Sequence, residues 1–576
     1  MHNFDFAKIK YAFPRLSDSN KYIDQVIGFD TETMPDGSPF MFCTSTGDTY
    51  ILSDIPQCLF TRQYRNKHFA VYNLKFDSGS ILYNLTLEEL NELRETNKVR
   101  SGGFKYNYIP HKCLRISKGK NAVTFWNISQ YFNMSLENAG SKYLHIHKKP
   151  MRTKRFTRTV IKKLYNKIRA YCIQDAVMTA KLYEYMLVGL LKMNVRPSSL
   201  YSTASLAFTY FKSKGCIYNV WNFWKYHRDI LQYACESYAG GKFEIYKRGR
   251  FNGVLYDINS AYPYEMSKFW DVSKAVVIKS SVFLKDSTYG FIRVLIDNSK
   301  MYSLPCPYKS GVLSIYPAGR YYATITKEEY EYLQSIKIPV RVLSGVYLYI
   351  YNKVPAYHSI VNELYDRKTY YKHRDKRQYQ LVKIILNGFY GKMAQLIQLP
   401  NGTVKAGLAW NPIYAAMITA NTRIRLSKVY QENSKNVLAV HTDSVIMNRP
   451  LSGETLGDKL GQWQEVTQGE GVTVACGIYQ IADKYALRGF NPVKETNLIK
   501  LLKRMKNRSK ITVEHLDVKS WTSSVFRGKK ELTNRFMVEQ KIFDVNSERK
   551  RAWSTKTYGS KLLNSIETSS PFMVIT

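Results

Sequence analysis

A chain of 576 residues, 45% hydrophobic and 14% aromatic, can bury several cores, about three to four at roughly 150 residues each. Its 85 Lys and Arg against 45 Asp and Glu give a formal net charge of +40, which calls for a polyanionic partner, and 46 tyrosines and 27 phenylalanines offer flat faces for bases, so nucleic acid is favoured over lipid. The sequence has no uncharged apolar run of about 18 residues, no signal-peptide pattern from Met1, His2 and Asn3 onward, and eight scattered cysteines without a C-x-x-C pair; the expectation is a soluble, cytoplasmic monomer with reduced thiols, no zinc ribbon and no membrane partner.

In chain order, the first informative run is VIGFDTET at 26–33, where apolar residues lead into Asp30 and Glu32. Strand positions i and i+2 share a face, so both carboxylates would point the same way. YNLKFD at 72–77 follows the apolar Phe69, Ala70 and Val71 and places a third acid, Asp77. Between 148 and 170 lie ten basic residues and no acid, among them Lys148, Lys149, Lys154, Arg155, Lys162 and Lys163, which suits a DNA-facing loop or a solvated helix face. Residues 168–182 have a helical apolar rhythm, with Tyr171 and Asp175 at i and i+4 on one side. Any one of these acids is more often a cap or a salt-bridge partner. Four on separate elements are what a two-metal phosphodiesterase needs, with Tyr171 placed to orient the attacking water.

Farther along, Tyr238, Gly240 and Gly241 stand between a helical stretch and the β-prone 243–246, where paired glycines permit a turn or a close backbone approach. The apolar run 254–256 delivers Asp257 to a sharp change of direction at Ser260 and Pro263. The turn-rich stretch between Pro263 and Lys383 marks an inserted subdomain. Residues 355–395 read as a basic helical hairpin with Lys383, Asn387 and Tyr390 on one polar face. Asn401-Gly402 signals a hairpin. The run 437–447 reads as two strands presenting Asp443 at their tip, with His441 two residues earlier, and 500–510 holds six basic residues and no acid.

Taken in order, FDTET, YNLKFD and YCIQD resemble the three exonuclease motifs of the family B DNA polymerases, and DINSAYP, the Lys383 to Gly391 run and HTDS resemble that family's polymerase motifs. The resemblance spans residues 26 to about 490. It implies an α/β (α+β) multidomain chain, an RNase H-like exonuclease domain followed by a right-hand palm, fingers and thumb. The boundaries expected are 1–185 exonuclease, 186–250 linker with the Tyr-x-Gly-Gly motif, 251–300 first part of the palm, 301–354 insertion, 355–395 fingers, 396–494 short hairpin insertion and second part of the palm, and 495–576 thumb.

The resemblance further implies residue roles. Asp30, Glu32, Asp77 and Asp175 would hold one pair of Mg²⁺ ions and Asp257 with Asp443 another, Mn²⁺ being an alternative. Asn73, Phe76, Ser135 and Leu136 would hold the single-stranded primer end, with Lys148 or Lys149 as the exonuclease-site lysine. Tyr238, Gly240 and Gly241 would touch template, Thr419 and Arg423 the primer in a motif that departs at Thr422, and Lys484 and Tyr485 the primer in place of a spaced K-x-Y. Tyr262 would exclude ribose, while Lys383, Asn387 and Tyr390 would bind the incoming dNTP, with Gly388 where serine is usual. The insertion after Asp257 resembles the one that docks a terminal protein in protein-primed, small-phage or linear-plasmid members, so primer-template DNA, dNTPs and a terminal protein are the expected partners of a viral or plasmid replication enzyme. Only 441 − 391 = 50 residues separate Gly391 from His441, so the second, DNA-encircling insertion is short. His441 replaces the first acid of D-T-D-S, and an imidazole facing Asp443 would shift metal preference toward Mn²⁺ and make the rate depend on histidine protonation. The rival readings are a 3′–5′ exonuclease with impaired synthesis and a catalytically dead DNA-binding protein.

Overall fold

Gly28 sets how the N-terminal domain assembles. A β-carbon there would lie 1.8 Å from the Ala176 carbonyl oxygen, so only glycine lets the long helix Arg158–Leu191 settle directly on the strand Ile27–Thr33. That strand is central in an eight-stranded sheet of order Thr49–Ile51, Pro39–Thr44, Ile27–Thr33, His68–Val71, Asn121–Asn127, Cys113–Lys118, Phe104–Ile109 and Lys98–Ser101. Ile27–Thr33, His68–Val71 and Asn121–Asn127 run parallel to their neighbours in that trio, and the flanking pairs are antiparallel. Phe29 packs edge-on against Phe69 and Phe125 beneath the sheet. The computed structural model describes residues 5–16, 21–51, 54–148, 151, 156–310, 313–399, 402–490 and 497–575; Met1, His2, Asn3, Lys149, Lys154, Arg155 and Asn401 lie outside them.

A second eight-stranded sheet carries Asp257. Its order is Lys242–Ile245, Val437–Thr442, Ser444–Met447, Lys247–Ile258, Trp463–Ala475, Ile478–Ile481 and Lys484–Leu487, with Ile566–Thr568 pairing on Lys247–Ile258 as well. The helix Pro412–Asn433 is buried along nearly its whole length beside this sheet. Helices His358–Tyr371 and Lys376–Gly388 form the expected hairpin, the second capped by Asp375, whose carboxylate accepts from the Arg377 and Gln378 amides.

The inserted subdomain begins earlier than residue 301. Val276–Ser280 and Tyr289–Asn298 hydrogen-bond with Val340–Tyr349 and Ala318–Thr326 in a separate five-stranded sheet, completed by Met573–Ile575. The first segment of the central sheet therefore ends before 276, because period-2 apolar patterning cannot tell which sheet a strand joins.

The segment from 495 onward is not confined to one end of the molecule. Strands Lys510–Val518 and Phe536–Asp544 form an antiparallel arm, and the helix Trp521–Phe526 at its tip enters the N-terminal domain. Trp521 is buried in the same cluster as Phe29 and Phe125, its ring 5.0 Å from that of Tyr108. Asn534 Nδ2 donates to Ser80 Oγ at 3.2 Å, and Arg535 Nε to the Asp36 carbonyl at 3.0 Å. Among the described residues, no helix is long and apolar enough to cross a membrane.

Trp521→Ala is expected to cost about 3–5 kcal/mol of stability, as for other large-to-small aromatic changes in a core. It should also expose the 519–535 tip to limited proteolysis before the rest of the chain. Chemical denaturation and timed proteolysis check both.

Candidate active sites

The strand Ile27–Thr33 and the helix Arg158–Leu191 bring three of the predicted acids together, and the short helix Leu74–Ile81 adds Asp77. Asp30, Glu32, Asp77 and Asp175 line one cavity of about 510 Å³ with Asn73, Phe76, Ser135, Leu136, Lys148 and Tyr171. Ser135 doubles as a helix cap, its Oγ accepting from the Asn138 amide at 3.2 Å. Thr31 Oγ1 donates to Asp77 Oδ1 at 3.0 Å.

Burial, then the neighbouring Asp175 and Glu32 charges, hold the Asp30 carboxyl well above the usual carboxylate range. Burial and Asp175 raise Glu32 to about 8, and burial raises Asp77 to about 7 against the Thr31 hydrogen bond. Lys148 brings a cation to this site, its ammonium bonding Asp175 and lying 4.1 Å from the Tyr171 ring centre; Lys149 lies outside the described residues. Burial alone would lower Lys148, but the Asp175 charge pushes it up. Packed carboxylates of this kind form a donor set that suits divalent cations, whose charge removes the repulsion. Two residues unmarked by sequence, Val518 and Phe536, reach the cavity from the arm, with Phe536 6.3 Å from Phe76.

The second pair of acids meets across a strand register. Asp257 pairs with Ser444, and the Ile258 amide donates to the Asp443 carbonyl at 2.9 Å. Burial raises Asp257 to about 6, with Lys383 opposing, and burial together with Asp257 raises Asp443 to about 7. Ser260 and Thr442, flanking the two acids, adopt left-handed φ values of 51° and 60°; such strain costs about 1–3 kcal/mol each and persists where the surroundings impose it.

Tyr262 packs on Tyr390 at 4.3 Å between ring centres. A β-carbon at Gly241 would meet Thr442 Cα and Tyr262 Oη at 2.9 Å, so the second glycine of the pair is a close-approach residue, whereas the space beside Gly240 is open. Lys383 and Asn387 are exposed on the face of Lys376–Gly388. Lys368, absent from the sequence reading, joins them: its ammonium donates to Ser260 Oγ at 3.1 Å, and burial, then Lys383, lowers it to about 8. Its only sequence signal is its place on the first arm of a basic helical hairpin.

Three expectations need correction. Arg423 is fully buried, its guanidinium donating to the carbonyls of Pro305, Ala239 and Gly240 and to Glu329 Oε1 at 2.8 Å. It holds the Tyr-x-Gly-Gly loop against the inserted subdomain and has no face for a primer. Thr419 is likewise buried, its hydroxyl bonded back to the Ala415 and Ala416 carbonyls within its own helix. His441 does not stand open beside Asp443: it is buried, and burial, then Lys550, lowers its imidazole to about 4. The ring stacks on Tyr479 at 4.9 Å, and Nε2 receives the Gly477 amide at 3.5 Å. Lys484 and Tyr485, in contrast, are exposed on the edge strand of the central sheet.

A family model described as DNA polymerase type B, organellar and viral, matches residues 108–404, just over half of the chain. The chain belongs to this polymerase family. A DNA polymerase of Acidianus bottle-shaped virus (isolate Italy/Pozzuoli) is 28% identical over 272 residues, 44% of this chain and 40% of that polymerase, so the match spans well under two thirds of the relative's length. Among solved structures, Phi29 DNA polymerase in an orthorhombic crystal form superposes with a TM-score of 0.66 at 14% identity, over 91% of this chain and 100% of the other. The same enzyme complexed with primer-template DNA and incoming nucleotide gives 0.65 at 14%. At that identity the likeness establishes the fold, an exonuclease domain joined to palm, fingers and thumb.

The raised carboxyls carry a stability consequence with a definite sign. Each binds protons more tightly folded than unfolded, so metal-free stability falls as pH rises from about 4 toward about 8, the window set by Asp257, Asp77, Asp443 and Glu32. Melting temperatures in chelator should drop across that window, and a combined Glu32→Gln, Asp443→Asn variant should flatten the slope. A steeper slope in the variant contradicts the assignment.

Proposed function

We propose that this chain is a DNA-directed DNA polymerase that extends a primer at Asp257 and Asp443 and removes mispaired 3′ ends at Asp30, Glu32, Asp77 and Asp175. The observation that carries the reading is the meeting of Asp257 and Asp443 across the Ile258 to Asp443 hydrogen bond, beneath the lysines of the fingers. Asp257 and Asp443 would hold divalent cations, which when bound supply a polarised primer hydroxyl and charge neutralisation at the leaving pyrophosphate. Mg²⁺ is the expected ion, with Mn²⁺ as its substitute.

The chain's own groups do the rest. Lys383 and Lys368 meet the triphosphate charge from the fingers side. Tyr262, wedged between Tyr390 and Gly241, fills the space a ribose 2′-hydroxyl would need. In the exonuclease cavity, Lys148 and Tyr171 fix the Asp175 side of the site, and Phe76 with Phe536 offers apolar faces to unpaired bases. The insertion between 276 and 349, which supplies four strands of the five-stranded sheet and stands in the place expected of a terminal-protein dock, supports initiation on a protein hydroxyl.

On an annealed primer-template, Asp257→Ala is expected to abolish extension while leaving degradation, and Asp30→Ala to abolish degradation while leaving extension. Each loss should be about 10³-fold or more. Loss of both activities in both variants would contradict two separate sites. For protein priming, labelled dNTP incubated with candidate partner proteins should give a protein–nucleotide adduct; extension of annealed primers alone, with no adduct, would leave the polymerase reading intact and remove the priming one.

A further inference from the structure

A cavity of about 490 Å³ lies apart from both acid sites and shares no lining residue with the carboxylate cavity. Three parts of the chain form its wall: Arg15, Leu16 and Tyr22 near the start, the stretch 194–213, and Lys392 with Leu408 beyond the helical hairpin. The first two are tied together by the Ile23 amide, which donates to the Pro197 carbonyl at 2.8 Å. The third is held because the helix Thr203–Ser213 packs on the second hairpin helix. A β-carbon at Gly388 would stand 3.3 Å from Ala207 Cβ, and Phe211 stacks on Phe389 at 3.9 Å between ring centres.

Four cationic side chains, Arg15, Arg196, Lys212 and Lys392, line this cavity, and among the described residues no carboxylate does. Arg196 pairs with Asp24 at 2.8 Å, outside the lining, but both side chains are about half exposed, so solvent screens the pair. The Lys392 ammonium donates to the neutral Gln395 Oε1 at 2.9 Å, and burial, then the Lys112 charge, lowers it from its ordinary range. Beside these cations stand Leu16, Tyr22, Tyr201 and Leu408, large apolar side chains that are each at least 36% exposed. Both rings are held in place: the Arg196 guanidinium lies 4.7 Å from the Tyr22 ring centre, and Trp126 packs against Tyr201 at 5.0 Å. A chain of net charge +40 has many solvated basic faces. Solvation alone does not gather exposed tyrosines and leucines around a basic hollow, because apolar surface left in water costs free energy until a ligand covers it.

We propose that this cavity is a nucleotide-binding site separate from the two acid sites, with Arg15, Arg196, Lys212 and Lys392 taking phosphate and Tyr22 and Tyr201 stacking on the base. The volume falls within the roughly 300–1,000 Å³ of small-ligand pockets. The ligand chemistry is a phosphorylated nucleotide, and the same contacts fit a free nucleoside triphosphate or one unpaired unit of a single strand. The cations themselves neutralise the phosphate, so no metal is needed. Nor does the inference depend on the polymerase or the exonuclease reading.

The test uses the full-length chain in chelator, which suppresses metal-dependent binding at Asp257 and Asp443. Iodo-deoxyuridine triphosphate and a short oligothymidylate carrying one iodouracil are each irradiated with the protein, because an iodinated base joins covalently to a ring stacked on it, and adducts are mapped by peptide mass spectrometry. An adduct is expected on Tyr22 or Tyr201. Labelling by the triphosphate alone identifies a free nucleotide as the source, labelling by the oligonucleotide alone a single strand, and labelling by both the shared chemistry. Adduct yield should fall about tenfold or more in a combined Arg15→Gln, Arg196→Gln, Lys392→Gln variant, since charge-assisted phosphate contacts are lost. It should persist in Lys500→Gln, Lys503→Gln, which removes as local a cluster of charge elsewhere. Circular dichroism and melting confirm folding; should the combined variant fail to fold, Arg15→Gln alone, at an exposed position, carries the comparison. Absence of an adduct at both tyrosines with both probes, an unchanged yield in the folded variant, or an equal loss in Lys500→Gln, Lys503→Gln overturns the proposal.

Discussion

The 2.9 Å hydrogen bond from the Ile258 amide to the Asp443 carbonyl makes one site of two acids that lie 443 − 257 = 186 residues apart. It belongs to the pairing of Lys247–Ile258 with Ser444–Met447, so the alignment of Asp257 and Asp443 is a property of strand register. A slip of one residue would turn one acid to the opposite face. Backbone pairing is what overcomes the repulsion and burial that raise both carboxyls, while Lys383 and Lys368 partly offset the shift at Asp257.

The cavity of Asp30, Glu32, Asp77 and Asp175 is built on the same logic with a different device. There the acids come from a strand, a short helix and a long helix, and Gly28 lets the long helix approach closely enough for Asp175 to share the cavity with Asp30. Lys148 offsets one of the four charges. The arm then couples the two halves of the molecule: its base packs with the helix Leu498–Met505, its tip is buried in the N-terminal core, and Val518 and Phe536 form part of the cavity wall. The arm is thus anchored at both ends.

Much of the two sites was legible in local sequence because their residues obey short-range rules. Asp30 and Glu32 alternate along a strand, Tyr171 and Asp175 lie a turn apart on a helix, and Lys383, Asn387 and Tyr390 share a helical face; each spacing survives whatever the tertiary contacts are. Primer contact by Thr419 and Arg423 rests on a motif resemblance that burial contradicts: Pro412–Asn433 is enclosed on almost every side, so no amphipathic pattern distinguishes a guanidinium facing solvent from one facing Glu329. The D-T-D-S resemblance and strand alternation place His441 beside Asp443 but cannot reveal Tyr479 stacked against it. Lys368 escaped notice because a lysine on a basic hairpin gains meaning only when Ser260 is found beside it.

By itself the sequence determined the order of the acid-bearing elements, the acids that end or line them, the helical hairpin, and a charge of +40 suited to nucleic acid. Tertiary structure alone decided which sheet each strand joins, where the insertion begins, that Trp521 lies in the N-terminal core, and which of several basic side chains face a site. The physical reason is range. Periodicity and turn chemistry act over a few residues, whereas sheet partners and buried ion pairs join positions hundreds of residues apart and are chosen by the packing of the whole chain.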